Sequence, residues 1–513
     1  MIAQFESLGK AEAALGKAQA AFGEIVDFVR MAADSKELRM DDIERTVFTM
    51  TQAANLHLLE AVAAAAGDGD HGKTVERDGK TLVRSDKKTK FYRSIFGVLT
   101  IERYLYSRGA KRKTEWAPVD ARLGLPAGEQ SYVLEDWMVR LCVKESFAEG
   151  VGTLSDLLGV KSSVRAAEVM ARNMAEHTDT FHEAQTSVDP EREQEILVFA
   201  ADGKGVPMRR PLEQRLREEK AAATADLNDA CQNAAQPAVA PKSKRLKPGE
   251  KRTRKQMAYV GAVYSIAPFK RSASDVVDEL RRKQRQPDRP RPQNKQVLAE
   301  MTRFRDGEVI NGQVRCFARL AWSAIFRMSL ATTLVCLMDG QRSLWALKQS
   351  WFGKAVGILD IFHVLERLWQ VAHAFHGDGS EAAKLQVDRH LRLLLEGKVS
   401  CVIGLYKRML SEHGLKGGRA KTVRENIAYF ENNKEYMKYD EYLSAGYPIG
   451  TGVAEGACHH LVKDRMELSG MRWEIEGAQP ILSLRALHLN GQWDDFITHR
   501  IQHEQEALYA QAA

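Results

Sequence analysis

The stretch TTLVCLMDGQRSLWALKQSWFGKAVGILDIFHVLERLWQVAHAF, residues 332–375, decides the fold class of this chain. An apolar run that ends at Asp339 is followed by a helical pattern, and a second apolar run that ends at Asp360 is followed by another. Strands that are so continuously apolar belong to a sheet that is covered on both faces. The order strand, helix, strand, helix therefore predicts an α/β core.

Patterns before this stretch extend the predicted core. The run EILVFAAD (195–202) predicts a strand that ends at Asp202, and MAYVGAVYSIA (257–267) predicts another strand. Residues 293–328 are compatible with helix. The core therefore begins near residue 189 and has at least four strands.

Patterns after the stretch differ in kind. Residues 380–440 are charged and helical without a strand pattern, which is typical of an inserted helical domain. The loop AGYPIGTG (445–452) then leads into a helix that carries Glu455. We expect the chain to return to the core at this loop.

The N-terminal residues predict two helices, 9–33 and 41–65. The first has heptad-like spacing, with apolar side chains at Leu15, Ala18, Phe22, Ile25 and Val29. Packing of the two helices on each other is the preferred interpretation of this spacing. A coiled coil between two copies of the chain is the alternative.

A hairpin and a helix pair follow. Residues 80–106 alternate apolar and polar positions around a glycine turn, and basic residues are interleaved with aromatic ones. Such a surface suits nucleic acid, although a solvated sheet face explains it equally well.

Within 133–176, one helix ends near Leu158 and Gly159 and the next begins after Ser162 and Ser163, which is the layout of a helix-turn-helix. Two packed helices without a DNA contact are the alternative.

Composition excludes several classes of protein. The 513 residues carry a formal net charge of +7, and no apolar run is long enough to span a membrane. The N-terminus has no apolar segment typical of a secretion signal, and the six cysteines form no C-x-x-C pair. These features disfavour a disulfide framework and a structural zinc site, and we expect a protein of the reducing cytoplasm.

Basic residues are concentrated in two segments. Eight of the fourteen residues in 242–255 and seven of the fifteen in 281–295 are Lys or Arg, which predicts contacts with the phosphate backbone of DNA. Each segment alone is also explained as a solvated loop. The residues expected to bind DNA are Lys242, Lys244, Arg245, Lys251, Arg252, Arg254, Lys255, Arg281, Arg282 and Lys283.

Three carboxylates occupy positions that suit a metal centre. Asp202 and Asp339 end predicted strands, and Glu455 opens a helix, so the three side chains are expected to meet at one sheet edge. Carboxylates that converge repel one another unless a cation lies between them, and oxygen ligands favour Mg²⁺ or Mn²⁺. Two such ions would serve phosphodiester chemistry. Capping of the following helices is the alternative role of each aspartate.

Several blocks resemble the transposases of the ISKra family of bacterial insertion sequences. They are ADGKGVPMRRP, VCLMDGQRSLW, ILDIFHVLERLWQ, GYPIGTGVAEGACHHLVKDRMELSGMRW and NGQWDDF, and the resemblance extends over most of the chain except for about the first 65 residues. The resemblance implies an Asp-Asp-Glu transposase with a ribonuclease H-like core, which cleaves transposon ends with Mg²⁺ or Mn²⁺ and joins them to target DNA. Its partners would be double-stranded transposon ends and target DNA, with at least a dimer of the chain on DNA and no membrane.

The resemblance also assigns roles to residues. Asp202 and Glu455 match the first and last catalytic carboxylates, and Asp339 is the preferred second one. Asp360 and His363 match an Asp-x-x-His element of related transposases, so Asp360 is the alternative second ligand and the pair is otherwise accessory. His459 and Lys463 are accessory as well, because regular helical spacing would place them on the face of Glu455.

The expected fold class is mainly α and multidomain, with an α/β ribonuclease H-like core interrupted by a helical insertion. The expected domains are an N-terminal helical region (1–75), a hairpin and helix-turn-helix region (76–188), the first part of the core (189–375), the helical insertion (376–444) and the last part of the core with the C-terminal helices (445–513). A DNA-binding protein without catalysis and a structure-specific nuclease are the alternative functions.

The P-loop-like motif GDGDHGKT (67–74) lacks the strand before it and the helix after it that an ATPase requires.

Overall fold

In the computed structural model of the chain, the described residues are 2–77, 79–109, 112–184, 188–209, 254–281, 288–305, 307–328, 331 and 333–509. The chain forms two compact units, Met1–Ala184 with Gly491–Ala513, and Gln185–Asn490. The described part is mainly helical and contains a mixed five-stranded sheet, as expected for a multidomain, mainly α chain. Within it, no helix has the length and apolarity needed to cross a membrane.

The first unit begins with a helical hairpin of α1 (Ile2–Asp34) and α2 (Met40–Ala65), which pack along each other. Small side chains let two helices approach closely, and the buried residues of both helices are alanines. They are Ala11, Ala14, Ala18 and Ala32 in α1 and Ala54 and Ala61 in α2. The predicted packing of the two helices on each other is confirmed.

The rest of this unit combines short strands with helices. Strands β1 (Thr74–Arg77), β2 (Lys80–Arg84) and β5 (Tyr106–Ser107) form an antiparallel sheet, and β3 (Lys88–Ser94) pairs with β4 (Gly97–Arg103) as the predicted hairpin. The helices are α3 (Pro118–Leu123), α4 (Tyr132–Cys142), α5 (Phe147–Leu158), α6 (Val164–Ala175), α7 (Thr178–Ala184) and the C-terminal helix Trp493–Tyr509.

Two expected domain boundaries do not coincide with the compact units. The chain is not divided near residue 75, because Leu56 and Leu59 of α2 pack against the buried Leu99 and Ile101 of β4. The residues after Asn490 belong to the first unit rather than to the core. There, buried Arg500 of the C-terminal helix pairs with Glu135 of α4.

The second unit is built on the five-stranded sheet, in the order β12-β11-β6-β7-β8. Strands β6, β11 and β12 are parallel, whereas β6, β7 and β8 form an antiparallel meander. The bounds are β6 (Ile196–Met208), β7 (Arg254–Ile266), β8 (Gln293–Met301), β11 (Thr333–Met338) and β12 (Val356–Leu359), and a separate hairpin has β9 (Arg303–Arg305) and β10 (Glu308–Ile310).

Helices pack around this sheet and extend beyond it. The helices are α8 (Ala273–Leu280), α9 (Gly312–Arg327), α10 (Arg342–Trp351), α11 (Ile361–Phe375), α12 (Glu381–Leu395), α13 (Val399–Glu412), α14 (Gly417–Asn433), α15 (Tyr439–Ala445), α16 (Gly452–Ala457), a π-helix (Cys458–Lys463), a short turn (Asp464–Met466) and α17 (Ile475–Leu489), with 3₁₀ turns at Pro190–Arg192, Lys434–Tyr436 and Leu468–Gly470. From α12 to α15 the chain is helical, as predicted for 380–440.

Two sequence predictions about this unit are wrong. Of the residues 293–328 that were compatible with helix, only Gly312–Arg327 are helical, whereas 293–301 form β8 and 303–305 and 308–310 form the hairpin of β9 and β10. The first segment is a strand because β7 offers an open edge whose backbone groups need a partner and β8 supplies it. Asp202 does not end its strand, since β6 continues to Met208. The continuation has left β11 and pairs with β7, with Met208 also bridging to Trp473 at its end, which explains why the apolar pattern stops at Asp202 while the strand goes on.

Candidate active site

Three aspartates follow the paired part of three neighbouring parallel strands. The pairing of β6 with β11 ends one residue before Asp202 and Asp339, so these two residues come next on adjacent strands. The pairing of β11 with β12 ends one residue before Asp360, whose backbone N–H donates to the carbonyl of Met338 at 2.9 Å. The parallel register therefore brings all three residues to one edge of the sheet.

Asp202, Asp339 and His363 form a compact group of possible metal ligands. One oxygen of each carboxylate and one ring nitrogen of His363 lie within 4.8 Å of one another, and all three residues are partly buried. His363 lies in the first turn of α11. The structure thus brings the first two predicted carboxylates together and adds a histidine that was expected to be accessory.

Local hydrogen bonds orient the two carboxylates. Oδ1 of Asp202 accepts the backbone N–H of Gly203 at 2.6 Å, and Oδ2 accepts the thiol of Cys458 at 3.4 Å. Oδ1 of Asp339 accepts the backbone N–H of Gln341 at 2.9 Å. The carbonyl of Asp339 accepts the hydroxyl of Tyr429 at 2.8 Å, which fixes the turn after β11.

The charges of this group influence one another. Burial raises the pKa of Asp339, and the nearby negative charges of Asp202 and Asp360 raise it further. The hydrogen bond to Asp360 raises the pKa of His363 to about 9, and the charges of the three aspartates act in the same direction. Without a metal, a protonated His363 therefore balances part of the negative charge at the sheet edge.

Asp360 has a different environment from the other two aspartates. It is completely buried, and both its carboxylate oxygens have partners. Oδ2 accepts the backbone N–H of His363 at 3.2 Å and lies 2.7 Å from Nδ1 of its ring, whereas Oδ1 accepts the backbone N–H of Thr451 at 2.8 Å. Asp360 therefore caps α11 and positions His363, and its geometry favours Asp339 as the second ligand.

Glu455, the third predicted carboxylate, is not part of the compact group. Among the described residues, the groups that could hold a metal are Asp202 with Asp339 and His363, and His459 with His460 and Asp464. Glu455 is exposed in the first turn of α16, which packs against β6 and β7. Cys458, three residues later, bonds to Asp202. The helix of Glu455 is thus beside the site, although its carboxylate is outside the ligand group.

The helical spacing expected after Glu455 is wrong. Residues Cys458–Lys463 form a π-helix, whose i→i+5 hydrogen bonds shift the following side chains around the axis. Nδ1 of His459 lies 3.0 Å and Nδ1 of His460 lies 2.9 Å from the carboxylate of Asp464. Lys463 is exposed at the end of this segment. The regular face expected for Glu455, His459 and Lys463 is therefore interrupted.

Most of the expected DNA-binding residues lie outside the described ranges; they are Lys242, Lys244, Arg245, Lys251, Arg252, Arg282 and Lys283. The backbone of Arg254 begins β7. Lys255 pairs with Glu467 at 2.6 Å, and Arg281 pairs with Asp388. The last two side chains therefore have acidic partners that DNA would have to displace.

In the first unit, the basic side chains of the hairpin are largely neutralised. Lys87 pairs with Asp68 at 2.9 Å, and Arg93 pairs with Glu129 at 3.0 Å. Lys90 is buried and donates to the carbonyl of Pro126 at 2.8 Å. These contacts favour the interpretation of this hairpin as a sheet face.

Asp68 belongs to the P-loop-like motif, which is followed by β1 rather than by the helix of an ATPase.

The helix pair of the first unit has an exposed second helix. Gly159 ends α5 with φ +69°, and Ser163 caps α6 by accepting the backbone N–H of Ala166 at 3.1 Å. One face of α6 is buried through Ala167, Met170, Ala171 and Met174. The opposite face exposes Arg165, Val169, Arg172 and Asn173.

Three residues at the core site were missed from the sequence as contributors. Thr451 and Cys458 lie close to Glu455 in sequence, but their contacts with Asp360 and Asp202 depend on tertiary packing. Tyr429 comes from the helical insertion and reaches the backbone of Asp339, a relationship that no local pattern reveals. The role of His363 was signalled by its i+3 spacing from Asp360.

The donor set fits a divalent cation. Two carboxylates from adjacent strands supply hard oxygen ligands, as Mg²⁺ and Mn²⁺ require. Asp360 holds Nδ1 of His363, so Nε2 remains for an ion, and metal-bound histidines are commonly oriented by a carboxylate in this way.

A scan of the sequence against protein-family models found no match, and a search of curated proteins found no significant match.

Proposed function

We propose that this chain is a DNA transposase of the Asp-Asp-Glu class, with Asp202, Asp339 and Glu455 as its catalytic carboxylates. The observation that carries the proposal is the convergence of Asp202, Asp339 and His363 where the parallel pairing of β6 with β11 ends. Sequence resemblance to the ISKra family supplies the reaction class. The geometry supports a centre for phosphodiester chemistry at the same place.

The sheet supports a ribonuclease H-like core as part of this proposal. Its antiparallel meander β6-β7-β8 is extended on the β6 side by the parallel strands β11 and β12. The first and fourth strands of the core are thus neighbours, and each carries one of the two aspartates. The helices between β12 and Glu455 form the insertion that separates the last carboxylate from the others.

The residues of the chain would have distinct roles. Asp202 and Asp339 would bind Mg²⁺ or Mn²⁺, with Glu455 completing the set after a side-chain movement, since it is outside the group in the structure. A bound pair of ions would activate the attacking oxygen and stabilise the leaving one. His363, held by Asp360, would contact a metal or a phosphate. The thiol of Cys458 orients Asp202.

DNA would contact both units in this proposal. The exposed face of α6, with Arg165 and Arg172, would recognise the transposon ends as the second helix of a helix-turn-helix. The basic segments 242–255 and 281–295 would contact the phosphate backbone near the core. Because two ends must be cut and joined, at least two copies would act together. The cytoplasm of a bacterium, at the nucleoid, would be the site of action.

The experiment that tests the proposal is cleavage of a labelled DNA duplex that carries the terminal sequence of the insertion sequence that encodes this chain. Wild type is compared with D202N, D339N and E455Q in Mg²⁺, Mn²⁺ or EDTA, and D378N serves as a matched exposed aspartate of the same unit. We expect metal-dependent nicking by wild type and D378N, and loss of at least a hundredfold in the other three variants. Strand-transfer products are assayed with the same labelled end.

Two results would select the alternative functions. Metal-dependent cutting without any joined product would indicate a nuclease. Specific binding of the ends by wild type without cutting in any metal would indicate a DNA-binding protein that lacks catalysis. Full activity of E455Q would contradict the assignment of the third carboxylate.

A further inference from the structure

One row of apolar side chains on α1 is exposed to solvent. Leu8, Leu15, Phe22 and Val29 are seven residues apart and are 53%, 45%, 42% and 46% exposed. The alanines that line the contact with α2 take the next apolar positions of the same heptad pattern. The heptad-like sequence thus supplies two adjacent rows, of which the first unit covers only the alanine row.

A second apolar row lies on α2, where Phe48, Leu58 and Val62 are 47%, 37% and 58% exposed. At 100° per residue, this row is displaced by about a quarter turn from Ala54 and Ala61 at the contact with α1. The exposed row of α1 is displaced from its own alanines by a similar angle in the same sense. Because the two helices run antiparallel, both exposed rows lie on the same side of the hairpin.

The other sides of the hairpin are different in character. A quarter turn about each helix axis in the opposite sense, starting from the alanines, reaches polar residues. These are the exposed Lys10 and Lys17 on α1 and the ion pair of His57 and Glu60 on α2. The far side of α2 packs on the sheet of the first unit through residues such as Leu56. The hairpin therefore has one mainly polar side and one side on which exposed apolar side chains predominate, with the exposed Glu44 of α2 among them. We call the latter the apolar face; its exposed apolar side chains are Leu8, Leu15, Phe22, Val29, Phe48, Leu58 and Val62.

We propose that the apolar face binds the same face of a second copy of the chain, which makes a four-helix dimer contact. The face is roughly 30 Å long and 20 Å wide, on the order of 600 Å². A stable interface needs about 800 Å² per partner, so the face supplies most of it. A twofold dimer places one patch against itself, and heptad spacing is typical of helices that pack in this manner.

The dimer contact would be the surface through which two copies act together in transposition, so this proposal rests on the proposed function. Two transposon ends bound by two copies would be held together by α1 and α2, far in sequence from the carboxylates. Dimerisation is nevertheless a separate property. It is measured without DNA or metal, so its failure is distinguishable from a failure of the cleavage proposal.

The test compares wild type and three double variants of the full chain by light scattering after size-exclusion chromatography. The variant L15E/F22E introduces two glutamates seven residues apart on the apolar face. The control A13E/A20E introduces two glutamates with the same spacing on exposed positions of α1 outside this face. Far-UV circular dichroism and thermal unfolding are measured for all four proteins. The more conservative L15Q/F22Q is included to separate loss of association from loss of folding.

We expect wild type and A13E/A20E to be dimers, and L15E/F22E and L15Q/F22Q to be folded monomers. Wild type that is monomeric at every concentration would overturn the proposal. Variants at Leu15 and Phe22 that remain dimers would also overturn it, because the contact would then lie elsewhere. If L15E/F22E fails to fold, the mass of L15Q/F22Q decides the outcome.

Discussion

The buried carboxylate of Asp360 accepts the backbone N–H of Thr451 at 2.8 Å, across 91 residues of sequence. The same carboxylate bonds to the backbone and the ring of His363. Thr451 is the residue before α16, the helix of Glu455. One side chain thus relates the histidine of the ligand group to the helix of the last predicted carboxylate.

Replacement of Asp360 tests this positioning role. The amide nitrogen in D360N would face N–H donors, and the buried hydrogen bonds would be partly lost. We expect a decrease of about 3 kcal/mol in the free energy of unfolding, measured by urea denaturation. The control D378N alters an exposed aspartate and should unfold as wild type does. A D360N variant of normal stability would show that the network contributes little.

The proposed metal binding at Asp202 and Asp339 predicts that these two aspartates affect stability differently with and without metal. In metal-free protein, D339N removes one of two neighbouring carboxylates, and burial already raises the pKa of Asp339, so we expect unchanged or higher stability. Mg²⁺ or Mn²⁺ should stabilise wild type, by about 2.7 kcal/mol at a hundredfold excess over the dissociation constant. D202N and D339N should lose this gain. Thermal unfolding with EDTA and with added metal measures both effects, and an equal metal response in all variants would place the ion elsewhere.

His390 is a pH-sensitive residue in the helical insertion, outside the candidate active site. Burial lowers the pKa of His390 from 6.5 to about 4, and its Nδ1 lies 3.1 Å from the hydroxyl of Tyr406. The unfolded chain therefore binds this proton at higher pH than the folded chain. The stability due to His390 is complete above about pH 6.5 and is lost as the pH falls toward 4.

A substitution isolates this contribution. H390Q cannot take up the proton, so we expect the loss of stability between pH 6.5 and 4.5 to be smaller than in wild type by about 1–2 kcal/mol. The same substitution at His413, which is exposed at the end of α13, should keep the wild-type dependence. Urea denaturation at the two pH values measures the difference. Equal losses in H390Q and wild type would contradict the assignment.

The proposed binding of DNA by α6 predicts a distinct salt dependence. R165A and R172A should each weaken binding of a transposon end several-fold, because each removes an exposed cation that would contact a phosphate. The slope of log K against log salt should decrease by about one per lost contact. R93A is the matched control, since Arg93 of the hairpin pairs with Glu129. Fluorescence anisotropy at several salt concentrations provides the measurement. An effect of R93A as large as that of R165A would move the DNA surface to the hairpin.

Local sequence patterns predicted much of the architecture. The apolar runs before Asp339 and Asp360 form β11 and β12, and the heptad-like segment forms α1. Ser163 caps α6 as expected, since a serine side chain at that position satisfies a free backbone N–H. These features depend on residues close in sequence, where periodicity and capping act.

Residues 293–301 could not be assigned in this way. Their Gln, Leu, Ala, Glu and Met side chains are compatible with helix, yet the segment pairs with β7 over most of its length. Strand formation there depends on a partner that is distant in sequence and on burial between layers, and these contributions outweigh intrinsic preference.

For the site, the sequence by itself determined that apolar runs end at Asp202 and Asp339 and that His363 lies one turn after Asp360. Only the tertiary structure decided that the parallel register places the first two side by side with His363, that Asp360 is buried as a positioning residue, and that Glu455 stays outside the group. The physical reason is that strand alternation and helix spacing are local. Pairing register, burial and a π-helical turn depend on the contacts of the whole folded unit.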